Sequence, residues 1–553
     1  MTQFYARRYW LIAIAGCIVV FAFVLRVYQL GEQELWLDEV FSVHTALLHE
    51  RLAEVLRRED SPPFYYLLLR FWLPLAGTSE AAVRFPSAIA GTLCVLAVMW
   101  AGWQVFTPAV GLWAGGFAAV APIHIYYSQE ARTYALVTLE LALTYGLLWR
   151  AMRFNTWTSW ALVSGTALTA LYSHYFAVLG LLPTFFILKV WLPGAATPLH
   201  RRRFLVATLF CLVLYLPWII WAFVINSHAH TLTRAGNHWL STDSKSMPAA
   251  LAIPRSFEML ALGPQANSIP IYPKQFASLM FPDSMRTLGI VVLAGLFLWV
   301  VVPWKDSGLK LSCLGRRKAW VASLVAIPLL ILWLVSFSHP IYFVGRYDMV
   351  AFPGYALLLG VALAKLQAVG RFGKTLAVLG ALGLLTPIGT KLALYYEAPA
   401  VTWAKRTADA VDLFAENGDA VVFDAWTGRV VLGYYLPRLN YDWEDGVCRN
   451  ARTARQFICR IFPAETEETF IYLPDQVLKS PDLVRTETRE VLQPIALSNG
   501  HLLLVLQWST FADGVLLPVP PMDLFVSELV RPGFRPRPVP TEGTAGIYRF
   551  ERS

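Results

Sequence analysis

The chain contains a series of apolar runs with few or no charges, and this feature constrains its fold more than any other. Each run is close to the ~20 residues that an α-helix needs to cross the hydrocarbon core of a bilayer. The pattern predicts a polytopic α-helical membrane protein with about eleven transmembrane helices. The runs lie near residues 10–29, 85–106, 109–126, 133–151, 157–172, 174–193, 204–225, 287–304, 319–338, 348–366 and 373–395.

The composition agrees with a membrane protein. Hydrophobic residues make up 56% of the 553 residues and charged residues 15%, whereas soluble domains are about 25% charged. The net charge of +9 comes largely from short clusters between apolar runs, which is typical of membrane loops and argues against a nucleic-acid-binding surface. The 21 Trp and 23 Tyr residues suit the membrane interfaces, where an apolar ring with one polar atom is stable.

Positive charges collect in alternate loops and predict the orientation of the chain. Because basic residues are enriched in cytoplasmic loops, the N-terminus is expected in the cytoplasm. The loops 30–84 and 226–286 and the segment after residue 396 are then expected on the outer side. The basic clusters that set this orientation are Arg7 and Arg8, Arg150 and Arg153, Arg201 to Arg203, Lys305 to Lys318, and Lys365 to Lys374.

The sequence predicts two domains. Residues 1–396 are expected to form the transmembrane domain. Residues 397–553 are expected to form an extracytoplasmic α/β domain, because helical patterning after residue 402 is followed by strand-like runs. This second region also contains Cys448 and Cys459. A disulfide between them is compatible with an oxidising compartment, although their spacing in sequence does not give their separation in space.

Two outer loops have patterns of their own. Within loop 30–84, apolar residues at helical spacing over 38–58 predict an amphipathic helix in the interface plane. The shorter run 62–76, interrupted by prolines, predicts a re-entrant or surface helix. Loop 226–286 is rich in His and Pro and has no long periodic run, so we interpret it as a flexible lid over a site.

Asp38 and Glu39 follow the first apolar run by about ten residues. A charged pair at this place can reach both a substrate carried in lipid and one dissolved in water. Its simpler interpretation is a helix N-terminus, where Asp is a good cap and Glu suits the helix dipole. The two interpretations can coexist, since a carboxylate held in one position is what a general base requires.

A second constellation lies at the outer end of the third run, where Tyr127, Gln129, Glu130 and Arg132 occur within six residues. It supplies a carboxylate, a neighbouring cation and polar groups on the same side of the membrane as Asp38. The simpler interpretation is an aromatic belt with a local salt bridge. The functional interpretation gains from pairing, because two acidic sites on separate outer loops can converge on one substrate hydroxyl or one metal ion.

A third constellation surrounds the outer mouth of the tenth run. Arg346 carries a planar donor fork that matches a phosphate, and Tyr347 follows it directly. The simpler interpretation of Arg346 is an interfacial arginine that reaches lipid headgroups. His174 lies in another outer turn, and a lone interfacial histidine is more often a hydrogen-bonded packing residue than a catalyst. We predict that Tyr127, Gln129, His174 and Tyr347 bind substrate.

These motifs occur in an order that resembles a known family. WLDE, SPPFYYLLLRFW, RFPSAIAG, PIHIYYSQEARTYAL, LYSHYFAVL and GRYDMVAFPGY together are similar to bacterial membrane glycosyltransferases of the GT-C superfamily. The most similar group is glycosyltransferase family 39, which contains protein O-mannosyltransferase-like and aminoarabinose-transferase-like enzymes. The resemblance covers about residues 30–365. The Asp after Arg346 and Tyr347 departs from the apolar residue that is more usual there.

The resemblance implies an inverting transfer of a hexosyl or pentosyl group from a polyprenyl-phosphate sugar. It implies Asp38 as the catalytic base and Glu130 as the second acidic residue, and we predict a catalytic role for Glu39 beside Asp38. Arg346 or Arg132 would steady the departing phosphate. Some relatives hold a divalent cation, so Mg or Mn near Asp38 and Glu130 is an open possibility.

The resemblance also implies a location and a class of acceptor. The enzyme would work at the periplasmic face of the bacterial inner membrane, on a lipid, glycan or protein acceptor. The rival interpretation is a polyprenyl-lipid-binding scaffold or a transporter without catalysis. A transporter is expected to place ionisable groups at mid-membrane, where this chain has few, such as Glu140 and Lys189.

Overall fold

The structure is a computed structural model. It describes residues 2–47, 62–186, 197–221, 249–263, 281–301, 311–338, 342, 344–398, 403–424, 431–444, 447–462, 502–506, 509–512, 515–518, 534–538 and 546–552. Most of the predicted lid, the part of the predicted amphipathic helix after residue 47, and Lys189 lie outside the described residues.

The described residues of the N-terminal three-quarters of the chain form helices and short turns. Its helices are α1 (Thr2–Val27), α2 (Leu37–Leu47), α3 (Phe64–Ala76), α4 (Glu80–Val105), α5 (Pro108–Val120), α6 (Pro122–Ser128), α7 (Tyr134–Phe154), α8 (Trp157–Ser173), α9 (Ala177–Phe186), α10 (Pro198–Ile220), α11 (Ala249–Leu262), α12 (Asp283–Val301), α13 (Leu311–Val335), α14 (Phe352–Ala368) and α15 (Gly370–Glu397).

Among the described residues, eight helices are long and apolar enough to cross a membrane, or nine if the bent pair α5 and α6 counts as one span. Two further predicted spans, 157–172 and 174–193, contain the shorter helices α8 and α9. The run 62–76 forms the 13-residue helix α3. The fold is therefore a polytopic helical membrane protein, as the apolar runs predict.

The chain divides into two compact units. The first unit comprises Met1–Gly31 and Thr45–Pro399. Among the described spans, Tyr347–Ala368 is the most buried. A Cβ atom on Gly360 would lie 2.6 Å from the carbonyl oxygen of Val110, so α14 and α5 approach closely enough to require glycine there.

The predicted third span is broken rather than continuous. The helices α5 and α6 meet at an angle of 63°, because Ala121 is extended and Pro122 begins a new helix. The break frees backbone carbonyls, and the fully buried Arg26 of α1 satisfies two of them by donating to the oxygens of Ala118 and Ala119 at 3.0 and 3.1 Å. The same guanidinium donates to the Ser128 hydroxyl at 3.2 Å.

The second unit comprises Glu32–His44 and Ala400–Ser553. It contains helix α16 (Trp403–Phe414), a π-helical turn (Val431–Tyr435), the short helix α17 (Leu436–Arg438), and the strands β1 (Ala420–Asp424), β2 (Tyr441–Glu444), β3 (Val447–Asn450), β4 (Gln456–Phe462), β5 (Leu502–Leu506), β6 (Ser509–Ala512), β7 (Val515–Pro518), β8 (Phe534–Pro538) and β9 (Gly546–Arg552).

Seven of these strands form a mixed sheet with the order β2-β3-β4-β1-β5-β9-β8. Its central strands β4, β1 and β5 are parallel, and the outer strands pair antiparallel. The parallel strands are rich in apolar residues, as buried strands are. Cys448 of β3 and Cys459 of β4 form a disulfide with a Cα–Cα distance of 5.9 Å.

Candidate functional site

Three connecting segments of the first unit meet through a cluster of aromatic rings. Tyr127, near the end of α6, lies against Tyr134 at the start of α7, with 4.4 Å between the ring centroids. Tyr134 lies 5.5 Å from His174, in the turn between α8 and α9. The ring centroid of His174 lies 6.0 Å from that of Tyr347, the residue directly before the tenth apolar run. The structure therefore brings together three of the four residues predicted to bind substrate.

Arg346 lies beside this cluster. Its Nε donates to the Tyr134 hydroxyl at 2.5 Å, and its guanidinium carbon lies 5.7 Å from the centroid of the same ring. The preceding residue, Gly345, has a φ of +80°, and its carbonyl oxygen accepts from the Tyr127 hydroxyl at 2.5 Å. Glycine adopts this left-handed backbone conformation without strain, and the turn places Arg346 against the ring of Tyr134.

His174 is held as a neutral ring. Its Nδ1 accepts a hydrogen bond from the backbone N–H of Phe176 at 3.1 Å. Burial, together with the charges of Arg132 and Arg346, lowers the pKa of His174 to about 3. The ring therefore adds a polar, uncharged edge to a site whose positive charge comes from the two arginines.

Arg132 and Glu130 lie in the turn between α6 and α7. Nη1 of Arg132 donates to the Tyr66 hydroxyl at 3.4 Å, and the carbonyl oxygen of Arg132 accepts from Ser87 at 3.3 Å. The side chain of Glu130 is buried, with 3% of the residue exposed. The turn thus supplies a second cation and a carboxylate from one short segment.

Gln129, in the same turn, has structural contacts. Its side-chain amide donates to the carbonyl oxygen of Tyr28 at 2.7 Å, and its Oε1 accepts from the Tyr395 hydroxyl at 2.8 Å. These bonds tie the turn to the ends of α1 and α15. A role of Gln129 in substrate binding stays a prediction, and the described contacts are those of a packing residue.

Sequence reasoning missed a second polar cluster next to Arg346. Ser256 of α11 donates to Oδ2 of the fully buried Asp348 at 2.5 Å, and its Oγ lies 2.6 Å from the hydroxyl of Tyr342. Burial, and secondarily the charge of Asp348, raises the pKa of Tyr342. The unusual Asp after Arg346 and Tyr347 was the available signal, because a buried carboxylate needs hydrogen-bonding partners. No pattern around Ser256 marks it.

Asp38 and Glu39 lie in the second unit, on the first turn of α2. The helix begins at Leu37, with Trp36 as its cap, so neither acidic residue is the N-cap. The carboxylate of Glu39 reaches back to the backbone N–H of Trp36 at 3.3 Å, which is half of a capping box. Glu39 is fully buried and Asp38 partly exposed. The helix-capping interpretation therefore applies to Glu39.

A bound metal ion would need several ligand side chains close together. Among the described residues, no three or more His, Cys, Asp or Glu side chains come together in a way that could hold a metal ion. Asp38 and Glu130 lie in different units. The described residues therefore assign no metal ligands.

Comparison with known proteins identifies the fold. A family model described as dolichyl-phosphate-mannose-protein mannosyltransferase matches residues 60–221. The structure of ArnT from Cupriavidus metallidurans in the apo state matches with a TM-score of 0.56 and 13% identity, over 98% of each chain. The same protein bound to undecaprenyl phosphate matches with a TM-score of 0.54 and 12% identity, again over 98% of each chain.

A third solved structure supports the same fold. The apo oligosaccharyltransferase of Archaeoglobus fulgidus matches with a TM-score of 0.51 and 12% identity, over 91% of this chain and 70% of that one. No curated protein sequence matches the chain. The chain therefore shares the fold of these proteins, and its residues 60–221 are similar to the mannosyltransferase family that the model describes.

Proposed function

We propose that this protein transfers a sugar from a polyprenyl-phosphate donor to an acceptor hydroxyl or phosphate, at the periplasmic face of the bacterial inner membrane. The observation that carries the proposal is Arg346, whose guanidinium is held by the Tyr134 hydroxyl beside a cluster of aromatic rings. A fork of this kind binds a phosphate in two places, and aromatic faces suit a sugar ring or an isoprenoid. The ArnT structure bound to undecaprenyl phosphate supports the donor class.

The chemistry follows from the donor. The acceptor oxygen attacks the anomeric carbon, the bond from that carbon to the phosphate oxygen breaks, and polyprenyl phosphate leaves. One direct displacement inverts the anomeric configuration. We assign Asp38 as the base that takes the acceptor proton and Glu130 as the second acidic residue. Arg346, with Arg132, stabilises the charge that develops on the departing phosphate.

Three further residues have supporting roles in the proposal. The neutral imidazole of His174 and the hydroxyl of Tyr347 orient the sugar, since both groups can form hydrogen bonds without adding charge. Glu39 keeps α2 in place through Trp36, and so acts on Asp38 rather than on substrate. No step is assigned to a divalent cation, and the sugar transferred is a hexose or a pentose.

The test is a transfer assay on the purified full-length chain in proteoliposomes. A panel of polyprenyl-phosphate hexoses and pentoses is supplied with membrane extract as acceptor, with and without Mg or Mn, and donor loss is followed by mass spectrometry. Asp38→Asn is compared with Asp442→Asn, a matched change at an exposed residue of β2. We expect the wild type and Asp442→Asn to consume one donor and Asp38→Asn to consume none.

Two outcomes would overturn the proposal. If no donor is consumed under any condition, the chain is a scaffold or a transporter rather than a transferase. If Asp38→Asn consumes donor at the wild-type rate, the base is another residue. Loss of turnover in the presence of a chelator, restored by Mg or Mn, would add a metal ion to the mechanism.

A further inference from the structure

The segment that carries Asp38 packs with the C-terminal region. Residues Glu32–His44 fall in the same compact unit as Ala400–Ser553, although more than 350 residues separate them in sequence. The first outer segment therefore depends for its position on a part of the chain that the resemblance does not cover. Three contacts join the C-terminal region to this segment.

The first contact is made by Glu34. Its Oε2 accepts hydrogen bonds from the backbone N–H groups of Ala404 and Lys405, at 2.7 and 3.2 Å. These groups lie in the first turn of α16, where backbone donors have no partner within the helix and the helix dipole favours a negative charge. Glu34 is 5% exposed and Ala404 is fully buried. A buried carboxylate satisfied in this way is costly to displace.

The second contact follows at the next residue. The backbone N–H of the buried Leu35 donates to the hydroxyl of Tyr435 at 2.9 Å. Tyr435 is itself buried, and its ring lies 4.9 Å from that of Tyr434. One tyrosine hydroxyl thus fixes the main chain immediately after Glu34 fixes it by its side chain.

The third contact involves helix α2. A Cβ atom on Gly433 would lie 3.7 Å from Cγ1 of Val40, which is ordinary van der Waals contact. Val40 is buried on α2, two residues after Asp38. The π-helical turn Val431–Tyr435 therefore contacts the Asp38 segment both before and after that residue.

We propose that the C-terminal region is a positioning domain for Asp38, and that Glu34 and Tyr435 are the positioning residues. Asp38 lies three residues after Leu35, on a helix turn whose cap is fixed by Glu39. The contacts of Glu34, Leu35 and Glu39 therefore fix the backbone of this segment and, with it, the position of the Asp38 carboxylate. This inference rests on the proposed function, in which Asp38 is the base. A misplaced base slows the chemical step without weakening donor binding.

The test uses the full-length chain in proteoliposomes. Glu34→Ala removes both hydrogen bonds to α16, Glu34→Gln keeps an acceptor oxygen without the charge, and Tyr435→Phe removes one hydroxyl. The control is Asp412→Asn on the same helix, whose carboxylate accepts from Tyr441 at 2.7 Å and pairs with Arg455. Each variant is assayed for kcat, for binding of undecaprenyl phosphate, and for amide hydrogen exchange.

We expect Glu34→Ala to lower kcat by about tenfold or more, with unchanged binding of undecaprenyl phosphate and faster exchange in peptides covering residues 33–44. Tyr435→Phe should do the same to a smaller extent, and Glu34→Gln should recover part of the rate. Asp412→Asn should leave kcat and exchange of this segment at wild-type values.

Two results would overturn the inference. Equal losses of kcat in Glu34→Ala and Asp412→Asn would mean that the region contributes only stability. Unchanged exchange over residues 33–44 in Glu34→Ala and Tyr435→Phe would mean that these contacts do not hold the segment. If the wild type itself transfers no sugar, the proposed function fails, while the exchange experiment still decides whether the segment is held.

Discussion

At the scale of single residues, neighbouring carboxylates have different surroundings. Asp38 and Glu39 are adjacent in sequence, and their chemistry alone does not say which is the cap and which is the base. The structure separates them, because the buried carboxylate of Glu39 accepts from the backbone of Trp36 while Asp38 remains partly exposed. The helix-capping residue and the base that we propose therefore share one helix turn.

A first prediction compares two isosteric changes in this turn. Glu39→Gln keeps an oxygen that can accept from Trp36, since Gln and Glu both serve in capping boxes. We expect it to retain far more transfer activity than Asp38→Asn. Glu39→Ala removes the bond and should destabilise α2 by about 1 kcal/mol. The measurements are turnover and hydrogen exchange over residues 36–44. A greater loss of turnover in Glu39→Gln than in Asp38→Asn would exchange the two roles.

A second prediction concerns the geometry of Arg346. Lysine preserves the charge but not the fork, and it cannot bind Tyr134 and a phosphate together as a planar group can. We expect Arg346→Lys to lower kcat by about 100-fold, the usual cost of losing a donor to developing charge. Tyr134→Phe, which keeps the ring and removes the hydroxyl, is expected to cost less. Steady-state kinetics with the identified donor measure both, and wild-type turnover in Arg346→Lys would shift the phosphate role to Arg132.

At the scale of elements, the apolar runs predicted almost every membrane helix, because span length and hydropathy are local properties. The break between α5 and α6 was not predicted, although Pro122 marks the position. The break depends on Arg26 of α1, which satisfies the freed carbonyls from about ninety residues away in sequence. A contact of that kind leaves no periodicity to detect.

In the candidate site, too, some features are visible in the sequence and others depend on contacts between distant residues. Tyr127, His174 and Arg346 are candidates from the sequence, since polar groups at span ends are conspicuous in an apolar chain. Tyr134, which contacts all three, is not among those candidates. The partners of Asp348 were not predicted, because Ser256 becomes relevant only when α11 packs against it. The association of residues 32–44 with the C-terminal region was also beyond the sequence, since nothing in Glu34 indicates the N-terminus of α16 as its partner.

A third prediction tests the packing at the break. A Cβ atom on Gly91 of α4 would lie 2.0 Å from Oγ of Ser128 and 3.0 Å from Nε of Arg26. Gly91→Ala must displace both groups, and we expect it to lower stability by roughly 1–3 kcal/mol. The control is Gly116→Ala on α5, where nothing lies within 4 Å of the added atom. Thermal unfolding in detergent measures the difference, and equal melting temperatures would contradict the tight packing at the break.

At the scale of the whole molecule, the chain builds one membrane unit and one unit made from two distant segments. Basic clusters occur in every second loop between the apolar runs, and the sheet of the other unit contains a disulfide. Both properties favour a C-terminal region in an oxidising, extracytoplasmic compartment. In the proposed function the donor is carried on a long isoprenoid and cannot leave the bilayer, so the side of the membrane that holds Asp38 determines which pool of acceptors the protein can reach.

The final prediction concerns this orientation. Leu413 of α16 is 73% exposed, and Leu413→Cys should react with a membrane-impermeant maleimide in intact spheroplasts. Arg202→Cys, in the exposed basic cluster of α10, should react only after the membrane is permeabilised, because basic residues at span ends are retained in the cytoplasm. Both changes are made in a chain whose free cysteines are replaced by serine, with Cys448 and Cys459 kept. Labelling of Arg202→Cys alone in intact spheroplasts would reverse the orientation, and the sugar acceptor would then be sought in the cytoplasm.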